Sequence, residues 1–221
     1  MKNVVPVRKA LGVRTVFNIL GPMLNPAATG RGLIGVYSEA MVGLMAHALH
    51  ELGAELTLVV HCGGETRRLS QLPTVQLQRP SPTAACCAAF ECPLTPCVLA
   101  AGLDELAPIA VATVATVTPS GVSMGTIDPF LLGFPKCTIE DLKGGSATEN
   151  AAILRQVFSG QLEGPVTDTV ILNAGAGLYV AGVAATVAEG CALAGECIKA
   201  GKPLAALDTW TALSQESAAL S

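Results

Sequence analysis

The chain has 221 residues, 51% of them hydrophobic and 14% charged, with a formal net charge of −4. The length suits one sizeable domain, and the acidic balance argues against nucleic acid as a partner. No stretch is both long enough and free enough of polar residues to read as a membrane span. Aromatic residues make up only 4%, so the core must come from Ala, Val, Leu and Ile, which favours helices packed closely around small residues.

Near its start the chain carries Arg8-Lys-Ala-Leu-Gly-Val-Arg-Thr-Val-Phe-Asn-Ile-Leu-Gly-Pro-Met-Leu-Asn-Pro26. Residues 7–17 carry helix formers. Beyond them Gly21-Pro22 and Asn25-Pro26 predict a shaped loop, because each proline lacks a backbone donor and Gly and Asn tolerate unusual dihedrals. Arg8 offers a planar fork of donors that matches a carboxylate or phosphate. An arginine beside such a loop is what an anion-binding wall requires. Arg14 is read as bracing the loop through backbone carbonyls, and Asn18 and Asn25 as satisfying its backbone groups.

Residues 32–37 predict a short buried strand, and 39–52 a helix with Ser38 as N-cap and Gly53 as its stop. Residues 56–61 predict a second strand. Strand, helix and strand make a βαβ unit with a parallel pair, whose ligands gather at the carboxyl ends of the strands. His61 lies at that end. By chemistry alone it could serve as a general base, but a structural hydrogen-bonding role is the expectation. His47 and His50 are read as surface or packing residues.

The pattern then breaks over residues 64–101, which carry Pro73, Pro80, Pro82, Pro93 and Pro96 and four of the eight cysteines (Cys86, Cys87, Cys92 and Cys97). A solvated surface insertion costs little loop-closure free energy. Translated non-coding sequence is a second reading, and the two jointly stand ahead of a functional lid, since long structureless loops are uncommon in compact domains. The cysteine spacings fit no zinc knuckle. With no secretory signal, reduced thiols are expected.

Asp104 and Glu105 follow. On a regular helix they would point about a hundred degrees apart; in a loop both can converge on one cation. Hard carboxylate oxygens completed by substrate phosphate and water suit Mg²⁺. The alternative is a solvated helix start. Residues 109–117 alternate and are β-branched, predicting a strand, with 122–127 pairing as a hairpin across Thr118-Pro-Ser-Gly121. Helices are predicted over 148–159, 166–181, 187–200 and 203–217, with Glu149 and Asn150 capping the first and Gly201 and Pro203 separating the last two. The apolar stretch 169–185 holds Asn173 and several glycines, which suits a buried core helix. No Gly-x-Ser-x-Gly elbow, phosphate-binding P-loop, internal repeat or catalytic side chain is identified.

The Arg8–Pro26 run resembles the signature of the anthranilate phosphoribosyltransferase family, of the nucleoside phosphorylase-like type. Gly102-Leu-Asp-Glu-Leu-Ala-Pro108 resembles its acidic pair, Asp141-Leu-Lys-Gly-Gly-Ser-Ala-Thr-Glu-Asn-Ala151 its later Gly-Gly segment, and Gly164-Pro-Val-Thr-Asp168 with Leu172-Asn-Ala-Gly-Ala-Gly-Leu-Tyr-Val-Ala-Gly182 its buried C-terminal helix. The matches come in the family's order and cover its C-terminal, larger part. The resemblance implies an α/β fold with a largely parallel central sheet flanked by helices, as a single domain over 1–221 with an irregular insertion at about 64–101. It implies transfer of the phosphoribosyl group of phosphoribosyl pyrophosphate to anthranilate, in tryptophan biosynthesis. Arg8, within Pro-Val-Arg-x-x-Leu-Gly, would hold the anthranilate carboxylate, and Asp104 and Glu105 would hold Mg²⁺ on the pyrophosphate.

The sequence departs from the family in lacking the Gly-Thr-Gly-Gly-Asp phosphate loop, the Lys-His-Gly-Asn and Ser-containing segments, and the small helical N-terminal domain that carries much of the homodimer contact of full-length relatives. An N-terminally shortened chain with weak binding of phosphoribosyl pyrophosphate and little turnover is the expectation. A pyrimidine nucleoside phosphorylase-like enzyme and a non-catalytic acceptor-binding fragment are the alternatives. The N-terminus carries no signal or transit peptide. As written the chain reads as cytoplasmic, with a chloroplast the expectation if a longer parent comes from a photosynthetic eukaryote.

Overall fold

A computed structural model describes residues 29–63 and 102–219, together with the isolated positions 21 and 23. In chain order they form β1 (Arg31–Gly35), α1 (Glu39–Glu51), β2 (Leu56–Cys62), β3 (Ala112–Thr118), β4 (Gly121–Ile127), a 3₁₀ turn at Glu140–Leu142, α2 (Ala147–Phe158), α3 (Pro165–Ala181), α4 (Val187–Lys199) and α5 (Lys202–Ala219). The strands make one sheet in the order β1-β2-β3-β4.

The α/β class holds, with helices on both sides of the sheet. The expected βαβ unit is present: β1 and β2 are parallel, with Leu33 opposite Leu58. Among the described residues the sheet is mixed rather than largely parallel, since β2–β3 and β3–β4 are both antiparallel. The reason lies in the connections. Leu103 bridges to Cys62 at the carboxyl end of β2, so the chain re-enters the sheet at that end and Ala112 pairs with Cys62. The expected hairpin then closes between Thr118 and Gly121. Neither connection includes, among the described residues, the crossover helix that a parallel pair needs. The third strand also starts later than expected, at Ala112 rather than residue 109, because Pro108, Ala107 and Ala110 give their carbonyls to Cys137 and Cys62 instead of to a neighbouring strand.

β2 is buried at all seven positions, which its unbroken Leu-Thr-Leu-Val-Val-His-Cys run anticipates for a strand covered on both faces. Val59, with Ala115 and Val117 of β3, packs against Val42, Met45, Ala46 and Leu49 of α1. Leu58, Val60 and Cys62, with Ala112 and Val114, face the other way onto Leu172, Ala176, Tyr179 and Val180 of α3 and Val187 and Cys191 of α4. Period-two alternation along each strand thus feeds two separate cores.

Helix ends follow local chemistry. The Ser146 hydroxyl accepts from the Glu149 N–H while the Glu149 carboxylate accepts from the Ser146 N–H, a reciprocal capping box. Hydrogen bonding of the carboxylate to the Ser146 side chain, and then to its backbone N–H, holds the Glu149 carboxyl below its ordinary range. α3 begins with Pro165, whose missing N–H costs nothing in the first turn, and stops at Gly182, whose φ of 82° is a left-handed conformation open to glycine. The carbonyls of Val180 and Ala181 accept from Arg31 at 3.4 and 3.2 Å, so a cation from the start of β1 closes the negative end of α3. Among the described residues no helix is long and apolar enough to cross a membrane.

α3 and α4 cross where the sequence supplies glycine on both sides. A Cβ at Gly190 would collide with the carbonyl oxygen of Gly175, and a Cβ at Gly175 with the backbone and sulfur of Cys191. Burial at this crossing pushes the Cys191 thiol up to about 11, so it remains a neutral packing group. Gly190→Ala is expected to lower stability by about 2 kcal/mol, the usual cost of overpacking a tight contact, against a change near zero for the open position Gly177→Ala. Urea denaturation of the two variants checks the difference.

Candidate functional site

The site is built on the carboxyl end of β2. There the Cys62 N–H donates to the Leu103 carbonyl at 3.0 Å and the Leu103 N–H to the Cys62 carbonyl at 2.6 Å. This pair of bonds places the next two residues, Asp104 and Glu105, at the rim of the sheet. Both are exposed, and both line one cavity of about 390 Å³ whose other walls are Ile139 and Leu142 near the 3₁₀ turn and Val166, Thr169 and Val170 of α3. The backbone here is a loop, not a helix, so adjacent carboxylates reach the same space.

The loop is held at many points. Leu106 and Ala107 are buried in the core shared with α3. The Leu106 N–H donates to the Asn173 side-chain oxygen at 3.1 Å, and the Asn173 amide returns a bond to the Leu106 carbonyl at 2.6 Å. The Cys62 thiol donates to the carbonyls of Ala107 and Ala110 at 3.3 and 3.5 Å. Burial pushes that thiol up, against the weaker opposing effect of those bonds, which makes Cys62 a structural donor rather than a nucleophile. His61 is buried and its Nδ1 lies 2.8 Å from the Val36 carbonyl, so the ring links the ends of β1 and β2; its opposite edge lies where a Cβ on Gly102 would be. The structural role expected of His61 is what its contacts provide. His50 packs with Nδ1 at 3.0 Å from the Thr118 carbonyl, and His47 is exposed.

Among the described residues neither Asp104 nor Glu105 is engaged in an ion pair or side-chain hydrogen bond, so both keep their oxygens available. No cluster of three or more His, Cys, Asp and Glu that could hold a metal occurs among those residues. Two free carboxylates beside a cavity fit a hard divalent cation that takes its remaining ligands from substrate and water. They do not fit an all-protein cage. A third carboxyl, Asp168 on the first turn of α3, is raised above its ordinary range by partial burial.

Arg8, Arg14, Asn18, Asn25 and the four clustered cysteines lie outside the described residues. The Gly-Gly segment is seen: the Asn150 amide spans Gly145, accepting from its N–H at 2.8 Å and donating to its carbonyl at 3.1 Å, which agrees with the capping role expected of Glu149 and Asn150. Sequence reasoning missed the Asn173 clamp. The signal was present, since a lone amide within an apolar run has to find partners once buried.

The model of the glycosyl transferase family, a/b domain, matches residues 1–77 and 75–204. The chain belongs to this family. It is 37% identical over 216 residues to the anthranilate phosphoribosyltransferase of Geotalea uraniireducens, covering 98% of the chain and 51% of that relative. It is 38% identical over 218 residues to that of Rubrobacter xylanophilus, covering 99% and 53%. Among solved structures, anthranilate phosphoribosyltransferase from Thermus thermophilus superposes with a TM-score of 0.70 at 34% identity, covering 96% of this chain and 51% of that one. The Saccharomyces cerevisiae enzyme in complex with PRPP and Mg does so with a TM-score of 0.70 at 26% identity, covering 94% and 49%. The chain therefore spans about half the length of these relatives.

One position couples the acidic loop to the rest of the fold directly. A Cβ on Gly35, the last residue of β1, would fall on the backbone carbonyl of Asp104. Gly35→Ala is expected to cost about 2 kcal/mol through overpacking and to shift the amide resonances of residues 103–106, whereas Gly32→Ala, where only ordinary contacts await a methyl group, should leave them in place. Urea denaturation with ¹H–¹⁵N correlation spectra measures both effects.

Proposed function

We propose that this chain carries the metal-holding and acceptor-holding part of an enzyme that transfers the phosphoribosyl group of phosphoribosyl pyrophosphate to anthranilate, the ribosyl step of tryptophan biosynthesis. The observation that carries the reading is the acidic pair. Two uncommitted carboxylates share one cavity at the carboxyl end of β2, in a chain similar over nearly its whole length to anthranilate phosphoribosyltransferases. A likeness to the yeast enzyme in complex with PRPP and Mg supports magnesium as the cation. On this reading residues 1–221 form one α/β unit and 64–101 an insertion ahead of the acidic loop, which fits a family match that breaks at 75–77.

Asp104 and Glu105 would hold Mg²⁺ through their carboxylate oxygens. When bound, the ion supplies positive charge against the departing pyrophosphate. Arg8 would grip the anthranilate carboxylate with its planar fork, turning the aromatic amine toward the ribose. That amine is already nucleophilic, so the chain need supply no covalent catalyst; its part is to hold acceptor and donor in line, where proximity provides much of the rate. The aliphatic side chains of Ile139, Leu142 and Val166 line the cavity beside the acids and would keep water from the reacting carbon.

Titration calorimetry at millimolar ligand tests the reading. Phosphoribosyl pyrophosphate should bind only with Mg²⁺ present, and Asp104→Asn with Glu105→Gln should weaken that binding about tenfold or more. Arg8→Ala should leave this untouched and weaken anthranilate binding about tenfold, a loss of about 1.4 kcal/mol. Binding of phosphoribosyl pyrophosphate that ignores both magnesium and the acidic pair would sink the proposal, as would tighter binding of a pyrimidine nucleoside with inorganic phosphate.

A further inference from the structure

The geometry points to Asn173 as a positioning residue that sets the aim of the acidic pair; the inference rests on reading Asp104 and Glu105 as metal ligands. Asn173 sits midway along α3, on a helix whose neighbouring Leu172 and Ala176 are buried core residues. Its amide makes three of its four possible hydrogen bonds. Nδ2 donates to the Leu106 carbonyl at 2.6 Å and to the Thr169 carbonyl at 2.8 Å, and Oδ1 accepts from the Leu106 N–H at 3.1 Å. Both donors are thus spent and the oxygen is engaged, two of the three bonds on a single residue of the acidic loop. The side chain imitates the edge of a strand.

What those bonds fix follows from covalent geometry. The Leu106 N–H belongs to the peptide plane that joins Glu105 to Leu106, so holding that N–H sets the torsion at which Glu105 leaves the loop. On the other side, the Leu103 carbonyl belongs to the plane that joins Leu103 to Asp104, and the Cys62 N–H holds it at 3.0 Å. The two acids therefore stand between two pinned peptide planes, with only the plane between them unheld by these bonds. The first pin is made by main chain and is insensitive to substitution. The second is one side chain. The Leu106 side chain, fully buried, fixes where the loop lies; Asn173 fixes how it is turned. Supporting groups of this kind orient metal ligands without touching the metal.

The test uses the ¹⁵N-labelled 221-residue chain titrated with Mn²⁺, which broadens nearby amide signals even when it binds weakly. In the unaltered chain, broadening should centre on residues 103–106 and saturate, and the Asp104→Asn/Glu105→Gln double variant should abolish it. Asn173→Leu keeps the volume and removes all three hydrogen bonds; Asn173→Ala is the second variant. In at least one, the β2 and β3 amides should keep their dispersion, the Leu106 amide should lose protection from hydrogen exchange, and Mn²⁺ affinity should fall about tenfold, in line with the loss of a supporting partner. A folded variant that loses Leu106 protection yet binds Mn²⁺ as before overturns the positioning role. Collapse of the sheet signals in both variants also overturns it, since Asn173 would then serve the fold. Absence of broadening at residues 103–106 in the unaltered chain defeats the metal reading itself, separately from the clamp, which Leu106 exchange reports on its own.

Discussion

The structure depends most on the short antiparallel bridge between Cys62 and Leu103. β2 is the central element, buried from end to end between α1 on one side and α3 and α4 on the other. Anything bonded to its last residue inherits that rigidity. The bridge fastens the returning chain there, and every later feature of the site is counted from it. Asp104 and Glu105 come next, then Leu106 drops into the core beneath α3, then Ala107 and Ala110 accept from the Cys62 thiol. One residue at the end of a strand thus fastens the acidic loop at both margins, by backbone on the near side and by sulfur on the far side.

The close approaches around that loop explain where glycine is used. Gly35 lets the Asp104 backbone rest on the end of β1, and Gly102 leaves room for the His61 ring. Gly175 and Gly190 bring α4 against α3, the helix that presents Asn173. A scarcity of aromatic residues is compatible with this design because small side chains let backbones meet, and the packing loss of a large residue is offset by many short contacts.

Most elements were legible in the sequence because their signals are local. The apolar run of β2, the alternation of β3, the Gly and Pro punctuation between helices, and the acidic start of α2 each rest on neighbours within a few positions, and the observed boundaries fall within a few residues of those expected. The strand starts later than its alternating run because Ala110 gives its carbonyl to the Cys62 thiol, a demand made by a residue far away in sequence. Sheet direction was misjudged for the same reason: it is decided by which end of β2 the chain returns to, and residues 64–101 conceal that. The acidic pair stood out through its motif, and its convergence on one space through the expectation of a loop rather than a helix. Asn173 did not stand out as a site residue, since its partner is 67 positions away.

Rigidity has a consequence for electrostatics. Two carboxylates on adjacent residues of a pinned loop line the same cavity. Like charges brought to one cavity repel, although solvent screens an exposed pair. Such a pair disfavours a bare polyphosphate and favours any divalent cation that lies between. On the proposed reading this makes the acids selective for a donor that arrives with magnesium, because the ion converts two repulsions into attractions at once. A floppy pair would relax its own repulsion and forgo part of that selectivity. The hydrogen bonds that hold the loop thus keep both acids at one cavity, where on the proposed reading one ion would meet them together with the pyrophosphate.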